Sequence, residues 1–225
     1  MISYFILGVL ILFLLYIISQ FRPAPTRQIA DNLFSVRCMF VNFYALATPN
    51  GVALFDIGVN AALARRGLKK LGISPDAVTH IFLTHTDYDH VGGLSAFPDA
   101  EVYLSEREEQ MIDGRTARRG PMRNKLPSPY HTVKDGESIV VGDRVVKLIL
   151  TPGHTPGSSS YFIDERILIT GDLLRISGKG TIKPFLWFIN MDHRQDALSM
   201  EAIRSVTGSA EYILTGHTGV YHNET

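Results

Sequence analysis

Apolar runs and turn residues alternate along this chain regularly enough to lay out most of its elements. From Ile2 to Phe21 the sequence reads ISYFILGVLILFLLYIISQF, apolar all round a helix and without a charged side chain. Such a helix would rise about 30 Å, the thickness of a bilayer's hydrocarbon core, and predicts one transmembrane helix over residues 1–21. No Lys or Arg precedes it and no small-x-small cleavage site follows, which argues against a cleaved signal peptide. Arg22, Arg27 and Arg37 on its C-terminal side lean, by the positive-inside rule, toward a cytoplasmic position for the rest of the chain. The expectation is a single-pass membrane protein with the lipid bilayer as a partner. Pro23 and Pro25 make residues 22–31 a stiff linker, and a folded domain is expected over 32–225.

Within that domain, Leu33 to Cys38 and Val41 to Ala47 are rich in β-branched and aromatic residues, and Pro49-Asn50-Gly51 turns the chain into Val52 to Phe55. This pattern predicts a β-meander. Asn60 caps a helix from Ala61 to Leu71, with Leu63, Leu68 and Leu71 on one face and Gly72 as its stop. His80 to Thr84 reads as a buried strand, and a short helix opens at His90 and stops by Pro98. Glu101 to Leu104 is a strand, after which Ser105 caps a charged helix from Glu106 to Ile112. Between Gly114 and Tyr130 the pattern dissolves into GRTARRGPMRNKLPSPY, with Arg115, Arg118, Arg119, Arg123 and Lys125 and no acidic residue. That segment reads as a solvated loop, with a lid or a contact to an anionic substrate as its functional alternative. Strands resume at Ser138 to Val141 and Val145 to Leu150, followed by a hairpin over Ser159 to Thr170. A helix from about Asp192 to Val206 precedes a last strand, Tyr212 to Thr215.

Composition narrows the classes. With 225 residues and 45% of them hydrophobic, one ordinary globular domain is expected. Basic and acidic side chains balance at 22 each, so no global field draws in nucleic acid. The single cysteine, Cys38, excludes an intramolecular disulfide and a thiolate-rich zinc site. Any metal has to be held by imidazole and carboxylate.

The residues for that are present. Thr84-His85-Thr86-Asp87-Tyr88-Asp89-His90-Val91-Gly92-Gly93 crowds two imidazoles and two carboxylates into six positions at a strand end. Gathering and partly burying those groups is costly without a cation or a dense set of hydrogen bonds. Three more strand ends deliver similar groups: His154 in Thr151-Pro152-Gly153-His154-Thr155-Pro156-Gly157, Asp172 in Thr170-Gly171-Asp172, and His217 in Thr215-Gly216-His217. With Phe55-Asp56-Ile57-Gly58, these pieces resemble, in order from about Leu33 to His217, the metallo-β-lactamase-fold superfamily of metallohydrolases. The resemblance implies an α/β fold, an αββα sandwich with two metal ions at the rim between the sheets. It implies that His85, Asp87 and His154 hold the first ion, that Asp89, His90 and His217 hold the second, and that Asp172 bridges them, with Asp56 as support. Asp89 and Asp172 are the expected catalytic carboxylates. A water shared by two cations loses its proton near neutral pH and becomes a nucleophile, so the expected reaction is hydrolysis of an ester, thioester or lactone-like bond in a small molecule.

One position departs from the common pattern: most members have a histidine where this chain has Asp87. Three carboxylates then offset three of the four charges of two divalent ions, and oxygen donation favours harder ions. Zinc is the first expectation, with iron or manganese as alternatives. Asp87 resembles the flavodiiron branch, so the alternative function is an iron-dependent redox enzyme, an oxygen or nitric oxide reductase or a dioxygenase, although the chain has no room for a flavodoxin-like domain. The chain ends a few residues after His217, before any C-terminal helical extension of the kind with which glyoxalase-II-like enzymes hold glutathione, so that substrate is not expected. His80, His131, His193 and His222 fall outside the pattern. Tyr88 is a candidate oxyanion donor, and the apolar patch of Phe185, Leu186, Trp187 and Phe188 a candidate pocket wall.

Overall fold

In the computed structural model, which describes residues 2–118, 123–127 and 129–223, the chain enters through helix α1 (Ile2–Gln20). The expected membrane span is not supported: among the described residues no helix is long and apolar enough to cross a membrane. The single-pass membrane localisation, its cytoplasmic orientation and the bilayer partner are corrected with it. The C-terminal end of α1 docks on the domain. Gln20 Oε1 accepts from Arg175 at 2.8 Å, Phe13 lies against Phe188, and Phe21 packs edge-on against Phe40, Phe185 and His217.

The stretch read as a linker contains β1 (Arg27–Ala30), which pairs antiparallel with β2 (Leu33–Cys38). Tight turns carry the chain on through β3 (Val41–Thr48) and β4 (Gly51–Phe55), also antiparallel, the meander that the turn residues predict. After β4 the connections lengthen, and the strands become parallel because a same-direction return needs a crossover. Helix α2 (Ala61–Lys70), capped by the Asn60 side chain on Ala62 N and Leu63 N, leads to β5 (Val78–Phe82). The short helix α3 (Tyr88–Val91) leads to β6 (Glu101–Ser105), and α4 (Glu109–Asp113) to β7 (His131–Val133). These seven strands form one sheet in chain order.

The second sheet holds β8 (Ser138–Val141), β9 (Arg144–Leu150), β10 (Ser159–Ile163) and β11 (Ile167–Ile169). Between β11 and the last two strands lie a ribbon, β12 (Leu174–Ile176) with β13 (Ile182–Pro184), and helices α5 (His193–Ala202) and α6 (Arg204–Ser209). Strands β14 (Tyr212–Thr215) and β15 (Gly219–His222) close the order β15-β14-β11-β10-β9-β8. The sequence suggests one late helix. Instead the chain breaks at Ile203, which leaves helical geometry (φ −94°, ψ 8°) to bury its side chain against Phe162, Leu168 and Ile213.

The inner faces of the sheets meet over Phe55, Phe82, Leu148, Tyr161, Ile163 and Leu214, each contributing about 1.5–3 kcal/mol by burial. Helix α2 covers the outer face of the first sheet, and the segments around Ile203 and Ala210 cover the second. The result is the expected αββα sandwich. Two buried tyrosines tie the layers together beside the strand ends: Tyr44 Oη–H donates across to Thr215 O at 2.7 Å, and Tyr161 Oη–H to Leu83 O at 2.8 Å.

Candidate metal centre

The seven metal-type side chains named from the sequence all lie beyond the C-terminal ends of strands on the same rim. His85 and Asp87 follow β5, and Asp89 and His90 sit on α3. His154 follows β9, Asp172 follows β11 and His217 follows β14. The Gly92-Gly93 pair lets α3 lie flat on the β4 exit, since a Cβ there would fall 2.3 Å from Val59 O and 2.5 Å from Ile57 O. Gly216 has a similar duty, with Asp172 Oδ1 2.5 Å from where its Cβ would be.

Three groups of ligand-type atoms converge, each within 4.8 Å: His85, Asp87 and His154; His85, His90 and Asp172; and Asp89, His90 and His217. Asp172 lies between the outer two. Its Oδ1 is 3.4 Å from His90 Nε2, and its Oδ2 is 3.2 Å from His217 Nε2 and 3.5 Å from His154 Nε2. Asp89 Oδ2 lies 3.4 Å from His217 Nε2, and Asp87 Oδ2 3.3 Å from His154 Nε2 and 3.6 Å from His85 Nε2.

The four imidazoles share one orientation, and hydrogen bonding sets it. Asp56 accepts from Thr84 N–H and Thr84 Oγ1–H, both at 2.8 Å. Because the Thr84 hydroxyl proton is spent on that carboxylate, His85 Nδ1–H must donate to Thr84 Oγ1, 3.0 Å away. His90 Nδ1–H donates to Asp56 Oδ2 at 2.8 Å, His154 Nδ1–H to Asn190 Oδ1 at 3.1 Å, and His217 Nδ1–H to Phe40 O at 2.9 Å. All four rings therefore present Nε2 to the centre, the arrangement by which outer partners fix ligating histidines. Asp56 achieves its triple role from a left-handed backbone (φ 57°), a conformation uncommon for a side chain other than Gly.

Buried polar atoms normally find partners. Here His85 Nε2, His90 Nε2 and Asp172 Oδ1 are buried without a hydrogen bond, and all three face the convergence point. A cation fits that donor set.

Charge tells the same story. Burial pushes His85 well below the usual imidazole value, helped by His90 and His154. His90 and His217 are also depressed by burial, but the carboxylates outweigh it and raise both: Asp56, Asp172 and Asp89 for His90, and chiefly Asp172 for His217. Burial alone would raise Asp172 and Asp87, yet both are held low, Asp172 by His217 and His90, and Asp87 by His154, His85 and Arg118. Positive charge is what these carboxylates are built to meet.

Sequence reasoning missed part of the scaffold. Glu108 is fully buried and accepts from Thr86 N–H at 2.8 Å, Thr86 Oγ1–H at 2.7 Å and Thr155 Oγ1–H at 2.6 Å, so it ties the β5 loop to the β9 loop. Burial raises its carboxyl above the ordinary range despite those bonds. In sequence it is one acid of a charged helix, with nothing to mark it as internal. Arg118 turns inward to Asp87 at 2.6 Å, whereas Arg115 pairs with Asp113 on the surface; Arg119 lies outside the described residues. Tyr88 is largely exposed and takes no place at the centre. His193 starts α5 against Trp187, and His80 lies in the aromatic cluster of Phe82 and Tyr103. Above the metal-type residues opens a cavity of about 490 Å³, walled on its apolar side by Phe21, Phe40, Phe188 and Met191.

A family model described as the metallo-beta-lactamase superfamily matches residues 36–217. The chain belongs to that superfamily. YobT of Bacillus subtilis (strain 168), an uncharacterized protein, is 34% identical over 176 residues, covering 72% of this chain and 71% of YobT. The probable metallo-hydrolase YqgX of the same organism is 32% identical over 148 residues, 62% of this chain and 68% of YqgX. A hydroxyacylglutathione hydrolase of a Synechococcus species is 33% identical over 129 residues, and the match spans 55% of this chain but only 46% of that enzyme. Among solved structures, the beta-lactamase from Chitinophaga pinensis superposes with a TM-score of 0.67 at 22% identity, over 88% of this chain and 80% of its own. A B3 metallo-beta-lactamase with an active-site glutamic acid gives 0.69 at 22% identity, over 92% and 85%. These structures show the shared fold. As a member of the superfamily, the protein is a metal-dependent hydrolase.

Proposed function

We propose that residues 32–225 form a dinuclear hydrolase that cleaves an ester, thioester or lactone-like bond of a small molecule. In this reading His85, Asp87 and His154 hold one divalent ion, Asp89, His90 and His217 hold a second, and Asp172 bridges both. The observation that carries it is the common orientation of four imidazoles whose Nδ1–H groups are all engaged, with buried Nε2 atoms and Asp172 Oδ1 left facing one point. Two such ions would supply an activated water and polarise the carbonyl oxygen under attack. Zinc suits the imidazole-rich set, and the Asp87 oxygen keeps iron and manganese as alternatives.

The chain's own groups account for the rest. Asp56, Asn190 and the Phe40 carbonyl fix ring orientation, so the donor set is arranged before substrate arrives. Phe21, Phe40, Phe188 and Met191 form an apolar wall beside the centre, which suits an uncharged acyl group and limits water access. Among substrates, the name of the hydroxyacylglutathione hydrolase relatives supports a thioester, while the partial match to their length leaves the thiol portion open.

The test is chelator-stripped protein reconstituted in turn with zinc, manganese and ferrous iron, then assayed on esters, thioesters, lactones, β-lactams and phosphodiesters. Metal-restored turnover of a carbonyl substrate is the expected result. Oxygen or nitric oxide consumption by the iron form, with no hydrolysis under any metal, would replace this reading with the redox one.

A further inference from the structure

Among the described residues, Asp87 is the ligand-type side chain at the centre whose carboxylate is held by the basic loop after α4. Arg118 NH2 lies 2.6 Å from Asp87 Oδ2 and its Nε–H donates to Oδ1 at 3.3 Å, so the guanidinium faces the carboxylate with its planar fork. Asn124 Nδ2–H also donates to Oδ1, at 3.2 Å, while its amide holds Thr86 Oγ1 at 2.9 Å. The remaining Arg118 donors reach backbone: NH2 donates to His154 O at 3.1 Å, and NH1 donates to Ile189 O. An arginine with donors spent on both oxygens of one carboxylate and on two carbonyls is not free to receive an anionic substrate. It is built into the centre, at roughly one-fifth side-chain exposure.

Two consequences follow from that geometry. Oδ1 is occupied by Arg118 Nε–H and Asn124, whereas Oδ2, which also receives Arg118 NH2 at 2.6 Å, is the oxygen that faces His85 and His154. Asp87 therefore offers a cation one oxygen, through the Oδ2 lone pair that Arg118 NH2 leaves open. Second, the guanidinium cancels the carboxylate charge, so Asp87 and Arg118 together are as neutral as the imidazole that stands at this position in the common pattern.

We propose that Arg118 is a positioning residue that makes Asp87 a charge-neutral, one-oxygen ligand, so that Asp87 and Arg118 act as a unit and neither works alone. The inference rests on the dinuclear reading of the centre. Removing only the acid would leave a guanidinium unpaired and mostly buried beside a cation site, which is strongly unfavourable. Removing both restores neutrality.

The experiment is a double-mutant cycle with Asp87→His, Arg118→Met and the two together, read as zinc affinity in competition with a chromophoric chelator and as zinc bound per chain. Asp87→His alone is expected to weaken the more weakly held ion at least tenfold. Adding Arg118→Met to it should bring affinity back to within about threefold of the native chain. Circular dichroism and melting temperature report folding, and if Asp87→His does not fold, Asp87→Asn with and without Arg118→Met makes the same comparison. An acid variant that binds zinc as tightly as the native chain with Arg118 in place, or a double variant no better than the single one, overturns the proposal. Either failure leaves two ions on the native chain, whereas failure of the dinuclear reading removes them, so the two are told apart.

Discussion

The two halves of the centre are assembled differently. In the half around Asp89, His90 and His217, the orienting groups belong to the ends of the first sheet: Asp56 at the exit of β4 holds His90, and the Phe40 carbonyl between β2 and β3 holds His217. In the half around Asp87 and His154, they come from connecting segments: Arg118 and Asn124 from the loop after α4, and Asn190 from the segment before α5. His85 alone is tied to the core there, through Thr84 and Asp56. One half inherits its geometry from strand packing, and the other depends on loops that fold onto it. Affinity at the two halves should then respond to different substitutions.

The largest effect is expected where the halves meet. Asp172→Ala removes the carboxylate that both share and should cut turnover by more than about a hundredfold, beyond the 10–100-fold typical of an outer partner. Circular dichroism should show the fold retained, because Asp172 lies at a strand exit and not between the sheets. Next comes Asp56→Asn, which strikes the core-held half and His85 together. It should weaken zinc binding about 10–100-fold in a chelator competition. Asn190→Ala removes the Nδ1 partner of His154 only. A roughly tenfold loss confined to one of two resolved binding steps is expected, and an equal loss in both steps would remove the distinction between the halves.

The smallest effect concerns stability. Asp196 is buried near His154, and burial pushes its carboxyl up to about 6 against the favourable pull of His154. Between about pH 4 and pH 6 the folded protein then binds a proton that the unfolded chain has already lost, so stability falls as pH rises through that window. Asp196→Asn should stabilise the metal-free protein by about 1 kcal/mol at pH 7 and by nothing measurable at pH 4, in urea titrations at both values.

The contrast between the halves also explains what the sequence could reveal. Strand ends are legible because β-branched and aromatic runs stop abruptly at Gly, Asp or His, and all seven metal-type residues sit at such stops. The layers follow for the same reason, since turn residues force β1 to β4 into a meander and helical crossovers force β4 to β7 parallel. The Ile203 break in the late helix was hidden because its cause is tertiary: burial against Phe162 and Ile213 outweighs local propensity. Helix α1 failed differently. Its all-round apolar pattern reads as a membrane span, yet no described helix qualifies as one, and Phe21 just past its end packs on Phe40 and His217. Glu108, Asn124 and Arg118 carried no periodic signal, since what makes them important is a partner far away in sequence. Only the unbalanced charge of the 114–130 loop hinted that a distant carboxylate was waiting for Arg118.

The most direct test of the account is equilibrium dialysis of the chelator-stripped chain against zinc, followed by metal analysis. Two ions per chain are predicted, falling to one or fewer in Asp172→Ala. A folded native chain that takes up no ion would contradict a metal centre at this rim.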